Sequence, residues 1–183
     1  MACNLTLGRK EPCKDVVGGI KKIYLINFQP LTLYETSGEV TDIADAGGSA
    51  EVDAVVYEVR HASSLTTNIN SSRETGTTFF ESTLELTFKK LSKADNAELA
   101  IMAHGRPHII VVDNNDNRMI VGHEYGCEVT GGTAVTGNAM GDLSGYTLTF
   151  TAQERTLPKF MESTLTEATF EALLGTVTEG TNS

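Results

Sequence analysis

The stretch TTFFESTLELTFKK, residues 77–90, constrains the fold more than any other part of this chain. Phe80, Ser82, Leu84, Leu86 and Phe88 fall on one side of an extended backbone, and Glu81, Thr83, Glu85 and Thr87 on the other. Alternation with period two over this length places one face against a core and the other toward water. A strand this long needs partners, and the rest of the sequence supplies them. IKKIYLINF (20–28), TLYE (32–35), VDAVVYEVR (52–60), RPHIIVVD (106–113), RMIVGHEYG (118–126) and GYTLTFTAQE (145–154) are rich in β-branched and aromatic residues. Cys127–Thr136 is extended with weak apolar points at Val129 and Val135. NNDN, 114–117, favours left-handed backbone and joins two of these runs into a hairpin.

One helix is signalled between the strands. Ser92 is an N-cap with Asp95 three residues on. Ala94, Ala97, Leu99, Ile101 and Met102 supply apolar surface, and Gly105 and Pro107 end the helix. A shorter C-terminal helix is expected over 164–174, capped by Thr164 or Thr166. The fold class is therefore mainly β, a sandwich or barrel-like domain with a flanking helix and extended loops or arms. At 183 residues the chain suits a single domain, 1–183. Four polar segments are read as appendages: an N-terminal arm (1–16), an acidic excursion (36–51), a protruding hairpin arm or long loop (61–76) and a loose C-terminal tail (175–183).

The formal net charge of −10 makes the chain a poor candidate for gripping nucleic acid, and an acidic surface repels phosphate instead. No segment approaches the ~20 apolar residues of a membrane span. The opening MACNLTLGRKEPCKD lacks the apolar core of a signal peptide, so a cytoplasmic origin is expected. Cys3, Cys13 and Cys127, an odd count, do not resemble a disulfide framework.

Chemistry-bearing motifs are sparse. DNNDN (113–117) offers oxygen ligands to calcium through Asp113, Asn115 and Asp116. Arg118 occupies the loop position an EF-hand gives to glycine, although Glu124 fits the twelfth. A hairpin turn is the better reading. His61, His104, His108 and His123 lack the paired spacing of a zinc site; His108 and His123 are expected on facing strands of one hairpin. No nucleophile elbow, P-loop or dinucleotide fingerprint is present, and no nucleophile, base and orienter can be named together. Neither a catalytic residue nor a cofactor or metal is assigned. The glycines at 137, 141 and 145 suit a segment that bends to fit a neighbouring subunit better than a catalytic lid.

From residue 77 to 155 the order of elements resembles the tail tube proteins of tailed bacteriophages. The residues that carry the likeness are Asp113, Asn115, Gly122, Gly126, Gly141, Asp142, Gly145, Tyr146 and Glu154, in "IIVVDNNDNRMIVGHEYG" and "GDLSGYTLTFTAQE". The resemblance implies a structural virion protein without enzymatic activity or cofactor. Its copies would close into hexameric rings, stacked into a tube that conducts genomic DNA without binding it specifically. Its partners would be itself and other tail components such as the tape measure, baseplate or terminator proteins. It would be assembled in the host cytoplasm, with no membrane insertion. Glu81, Thr83, Glu85, Thr87, Thr147, Thr149 and Thr151 are the implied lumen face. Ser63, Ser64, Thr66, Thr67, Asn68 and Asn70 form the implied ring-stacking arm. A terminator or baseplate ring protein, or a monomeric β-sandwich binding module, are the alternatives.

Overall fold

The computed structural model describes residues 8–10, 14–59 and 62–180. Twelve strands and two helices occur among them. In chain order these are β1 (Ile20–Ile26), β2 (Leu31–Thr36), β3 (Glu39–Asp45), β4 (Ala54–Glu58), β5 (Ser64–Ser72), β6 (Thr77–Lys89), α1 (Lys93–Met102), β7 (His108–Asp113), β8 (Arg118–Val121), β9 (Glu128–Val135), β10 (Gly145–Glu154), β11 (Lys159–Phe160), α2 (Glu167–Glu171) and β12 (Val177–Glu179). The mainly β expectation with a flanking helix is met. No helix among the described residues is long and apolar enough to cross a membrane.

A six-stranded sheet, in the order β11-β8-β7-β1-β4-β12, occupies the middle of the molecule. Its two faces are both buried. Ile23, Leu25, Ile109, Val111 and Val121 pack against Leu84, Leu86, Phe150 and Ala152 of a four-stranded sheet, β5-β6-β10-β9. The alternate residues Tyr24, Ile26, Ile110, Val112 and Ile120 face Val40, Ile43, Met161, Phe170 and Leu174. This second covering layer is the β2-β3 hairpin together with α2. Burial on both sides explains why β7 reads as an unbroken apolar run, HIIVVD, rather than an alternating one.

The helix signals hold. The Ser92 side chain accepts from the Asp95 N–H at 3.0 Å, and the Gly105 N–H returns to the Ile101 and Met102 carbonyls. Thr166 caps α2, in a reciprocal box with Thr169.

Two appendages turn out otherwise, and a third is decided between its two readings. Residues 36–51 are not a loop: Ser37 and Gly38, both at positive φ, make a two-residue hairpin turn, and β3 sends Val40, Ile43 and Ala44 into the core. The register shift between Tyr34 and Glu35 and the uneven spacing of Val40, Ile43 and Ala44 hide the strand from a period-two reading. Of the two readings for residues 61–76, the described part, 62–76, takes the hairpin arm and not the long loop. Nine of them form β5, paired with β6 from Ser64↔Glu85 to Ser72↔Thr77. The tail contains β12, which pairs in parallel with β4. The N-terminal arm lies largely outside the described residues, as do Cys3 and Cys13.

Phe170 links the outer layer to the sheet. It is fully buried, with its ring edge-to-face on Tyr24 at 5.0 Å. Phe170→Ala should lower unfolding free energy by about 3–5 kcal/mol in urea titrations. A loss below about 1 kcal/mol would mean that α2 contributes little to this layer.

Candidate functional site

The outer face of the four-stranded sheet gathers most of the residues singled out in the sequence. Because Ser82, Leu84 and Leu86 point into the core, Glu81, Thr83, Glu85 and Thr87 point away from it. The register aligns Thr147 with Thr87, Thr149 with Glu85, Thr151 with Thr83 and Gln153 with Glu81. All seven residues of the implied lumen face therefore share one surface. The structure extends that surface in both directions. On β5, Ser64 stands opposite Glu85, Thr66 opposite Thr83 and Asn68 opposite Glu81. On β9, Thr133 pairs with Thr147 and Glu128 with Thr151.

Hydroxyl pairs cross the strands. Thr133 and Thr147 are joined at 2.6 Å, and Thr130 and Thr151 at 3.0 Å. The Glu81 carboxylate accepts from Gln153 Nε2 at 3.4 Å and Asn70 Nδ2 at 3.5 Å. The face thus carries hydroxyls, amides and the carboxylates of Glu81, Glu85 and Glu128. Lys89 ends the same alternation at the rim.

The implied stacking arm is divided by this geometry. Ser64, Thr66 and Asn68 belong to the polar face. Thr67 lies on the opposite side of β5, bonded to Ser82 at 2.9 Å. Ser63 is buried, its hydroxyl accepting from the Thr87 N–H at 3.2 Å. Only Asn70 belongs to the part that projects. β10 reaches no farther than Phe80, so Thr77–Phe79 and their partners Asn70–Ser72 overhang the sheet. Ile69 (64% exposed) and Phe79 (37% exposed) stand out at this end. A strand of alternating Thr, Asn and Ser with two apolar residues looks like a loop until the long partner beside it is known.

The two borders of this sheet are its other feature. β5 and β9 are its terminal strands, nine and eight residues long. Their sequences, SLTTNINSS and EVTGGTAV, contain no Pro, Lys or Arg, the usual devices that blunt an open edge. The six-stranded sheet, by contrast, ends in β11 and β12, of two and three residues.

The residues that carry the family resemblance set turns and close approaches. Both Asp113 oxygens are occupied, accepting from the backbone N–H groups of Asn115 and Asn117 at 2.8 Å each and from both side-chain amides. That is a closed turn, and it spends Asp113 on the loop itself, while the Asp116 carboxylate pairs with Lys21. Asn115 also brackets Val17, donating to its carbonyl at 2.7 Å and accepting from its N–H at 2.9 Å. Gly145 allows β10 to lie against β6, since a Cβ there would sit 2.0 Å from the Phe88 carbonyl oxygen. Asp142 gathers the Asn138 and Ala139 N–H groups at 2.8 and 2.7 Å.

His108 and His123 are not a pair. His108 is buried, with Nδ1 2.5 Å from the Gly122 carbonyl and Nε2 against Gln29. His123 lies in the turn after β8, with Nδ1 2.9 Å from Glu154 Oε1 but out of line for a hydrogen bond. His104 follows the end of α1, and His61 lies outside the described residues. Among the described residues, no three His, Cys, Asp or Glu side chains are placed to hold a metal. Burial pushes the Cys127 thiol up, away from the reactive thiolate.

Comparison with models of known protein families, with curated proteins and with solved structures finds no match.

Glu154 is the buried anchor beneath the face. Its carboxylate accepts from Gly122 N–H at 3.2 Å and Glu124 N–H at 2.9 Å. Burial pushes its carboxyl up, but His123 and these two N–H groups outweigh that and hold it below the ordinary value. A depressed folded-state value means stability present above the unfolded pKa of ~4.3 and lost as pH falls through the folded one. Glu154→Gln should therefore cost about 1–3 kcal/mol at pH 7, with the gap to the parent closing in unfolding titrations toward pH 3. A gap that stays constant with pH would show that the ionised form is not what holds the turn.

Proposed function

We infer that this chain is a structural virion protein of a tailed bacteriophage, and that copies of it close into rings that stack into a tail tube. The observation that carries this reading is the pair of long open edges on one sheet, nine and eight residues in length. Neighbouring strands in it run antiparallel throughout. With four strands, β5 and β9 must therefore run in opposite directions. A second copy related by rotation can lay its β5 beside β9 of the first and continue the antiparallel alternation unbroken. Repetition of that step closes a ring, which hides both edges of this sheet. Six copies is the number the family resemblance implies.

The same rotation keeps all the polar faces on one side. Turned inward, they would line a channel with hydroxyls and carboxylates. Such a wall repels phosphate and offers no apolar foothold, so genomic DNA would pass without adhering. Tape measure, baseplate and terminator proteins would meet the tube along its bore and at its ends. Catalysis, a cofactor and membrane insertion have no part in this reading. The protein would be assembled in the host cytoplasm and reside in the tail.

Negative-stain electron microscopy over a concentration series, with light scattering alongside, should show hollow rings or tubes of uniform diameter. A monomer at every concentration would overturn the reading. Rings that never stack would move it to a terminator or baseplate ring.

Two sets of variants test its parts. Thr66→Lys combined with Thr133→Lys puts like charges on the edges that would meet. The rings should be lost, while unfolding free energy stays within about 0.5 kcal/mol of the parent. Rings that persist would show that these edges are not the contact. Glu81→Lys with Glu85→Lys should leave assembly intact but make the rings retain double-stranded DNA in a salt-sensitive way. Unchanged DNA behaviour would take this face out of the channel.

A further inference from the structure

α1 is the longer of the two helices described, yet it is the more weakly fastened. Of its ten residues, Leu99 is buried, Met102 is half-buried and the other eight are exposed. Ile101 is 68% exposed. The five-residue α2 is the contrast: it buries Phe170 completely and leads into Leu174, which is buried too.

The space beneath α1 is not filled. A cleft of about 270 Å³ is lined by Tyr57, Phe88 and Tyr146 from the sheets and by Asp95 and Leu99 from the helix. A second, of about 340 Å³, is lined by Phe28, Val55 and Tyr57 from the body of the protein and by Glu98, Ile101 and Met102 from the helix. Tyr57 borders both. Interiors that hold their elements rigidly leave few voids larger than a water molecule, and this contact has two.

Polar fastening is equally sparse. Among the described residues, one hydrogen bond crosses from the body of the protein to the helix or its cap: Tyr146 Oη donates to the Ser92 carbonyl at 3.3 Å. No ion pair does so among them. The chain on either side is firmly held. Before the helix, the Lys90 N–H donates to the Ser144 carbonyl at 2.7 Å. After it, the Arg106 guanidinium lies 4.0 Å over the Phe28 ring, and the Pro107 carbonyl accepts from the Cys127 N–H at 2.8 Å. Residues 91–105 thus hang between two anchored points, with Leu99 the one side chain buried along the way.

We propose that α1 is a cover that lifts and unwinds on its own while both sheets stay folded, laying bare the aromatic trench of Tyr57, Phe88 and Tyr146. Few buried apolar contacts and a solvent-exposed backbone are the marks of an element that opens locally. A helix this short has little stability of its own in water, so lifting and unwinding are one event. The open form presents an aromatic surface that the closed form hides. The inference concerns the single chain and is independent of the ring reading.

Native-state hydrogen exchange of the full chain in dilute solution, read by mass spectrometry with fragmentation to single residues, tests it. Amides 97–103 should exchange as one group, with protection at least about 100-fold below that of amides 109–112 in β7. Urea kept well below the unfolding transition should speed exchange in β7 and leave α1 nearly unchanged, because a local opening exposes little surface. Exchange of 97–103 in step with β7 would overturn the proposal. So would fraying confined to the helix ends, with Leu99 to Ile101 as slow as β7. Independently, Leu99→Ala removes the one buried side chain and should speed exchange across α1 at least about tenfold. Unchanged exchange in that variant would show that α1 is not held in the way proposed, and would also overturn it.

Discussion

Everything in this molecule depends on burying the six-stranded sheet on both faces. β7 and β1 alternate core residues above and below: Ile109 and Val111 against Ile110 and Val112, Ile23 and Leu25 against Tyr24 and Ile26. Neither set can be left in water at a cost the chain could bear. The four-stranded sheet covers one side, and the β2-β3 hairpin with α2 covers the other. The first cover can remain single-sided only because its outward residues are polar. The division between a dry inner face and a hydroxyl-rich outer face follows directly from the centre of the fold.

Elements with strong periodicity or sharp punctuation were legible in the sequence. β6 and β10 alternate cleanly, β7 is a continuous apolar run, and α1 carries its cap, its stop and its proline. The shared polar face was legible too, because Glu81–Thr87 and Thr147–Thr151 alternate in their own strands. What escaped were segments whose structure is imposed by a distant partner. β3 is held by β2 across a bulged hairpin, and its apolar residues fall out of step. β5 has little apolar content and takes its form from the nine residues of β6, Thr77 to Glu85, that it pairs with. β12 is three residues long and exists through its parallel pairing with β4. A local reading gives such segments to loops, since nothing within them states what lies alongside.

The buried polar groups show a similar split. The turn over 113–117 could be read from its Asp and Asn content. The partnership of Glu154 with the turn at 122–124 could not, because it spans thirty residues and couples the two sheets. His108 and His123 attract attention as potential ligands, yet one is spent on backbone and the other stands beside that carboxylate. Short side chains that fasten backbone to backbone account for most of the conspicuous residues here.

The hydroxyl-rich borders have a consequence in terms of information. Inside the sandwich, a slip of one residue would turn Leu84, Leu86 and Phe150 toward water, so the register among β5, β6, β10 and β9 is unambiguous. Along the outer rim of β5 the sequence runs Ser, Leu, Thr, Thr, Asn, Ile, Asn, Ser, Ser. A strand shifted there by two residues would meet nearly the same chemistry. Such a border accepts a partner readily but does not tell it where to stop. Any fixed alignment along it has to be written at the strand ends, in the turns and loops, and not in the strands themselves.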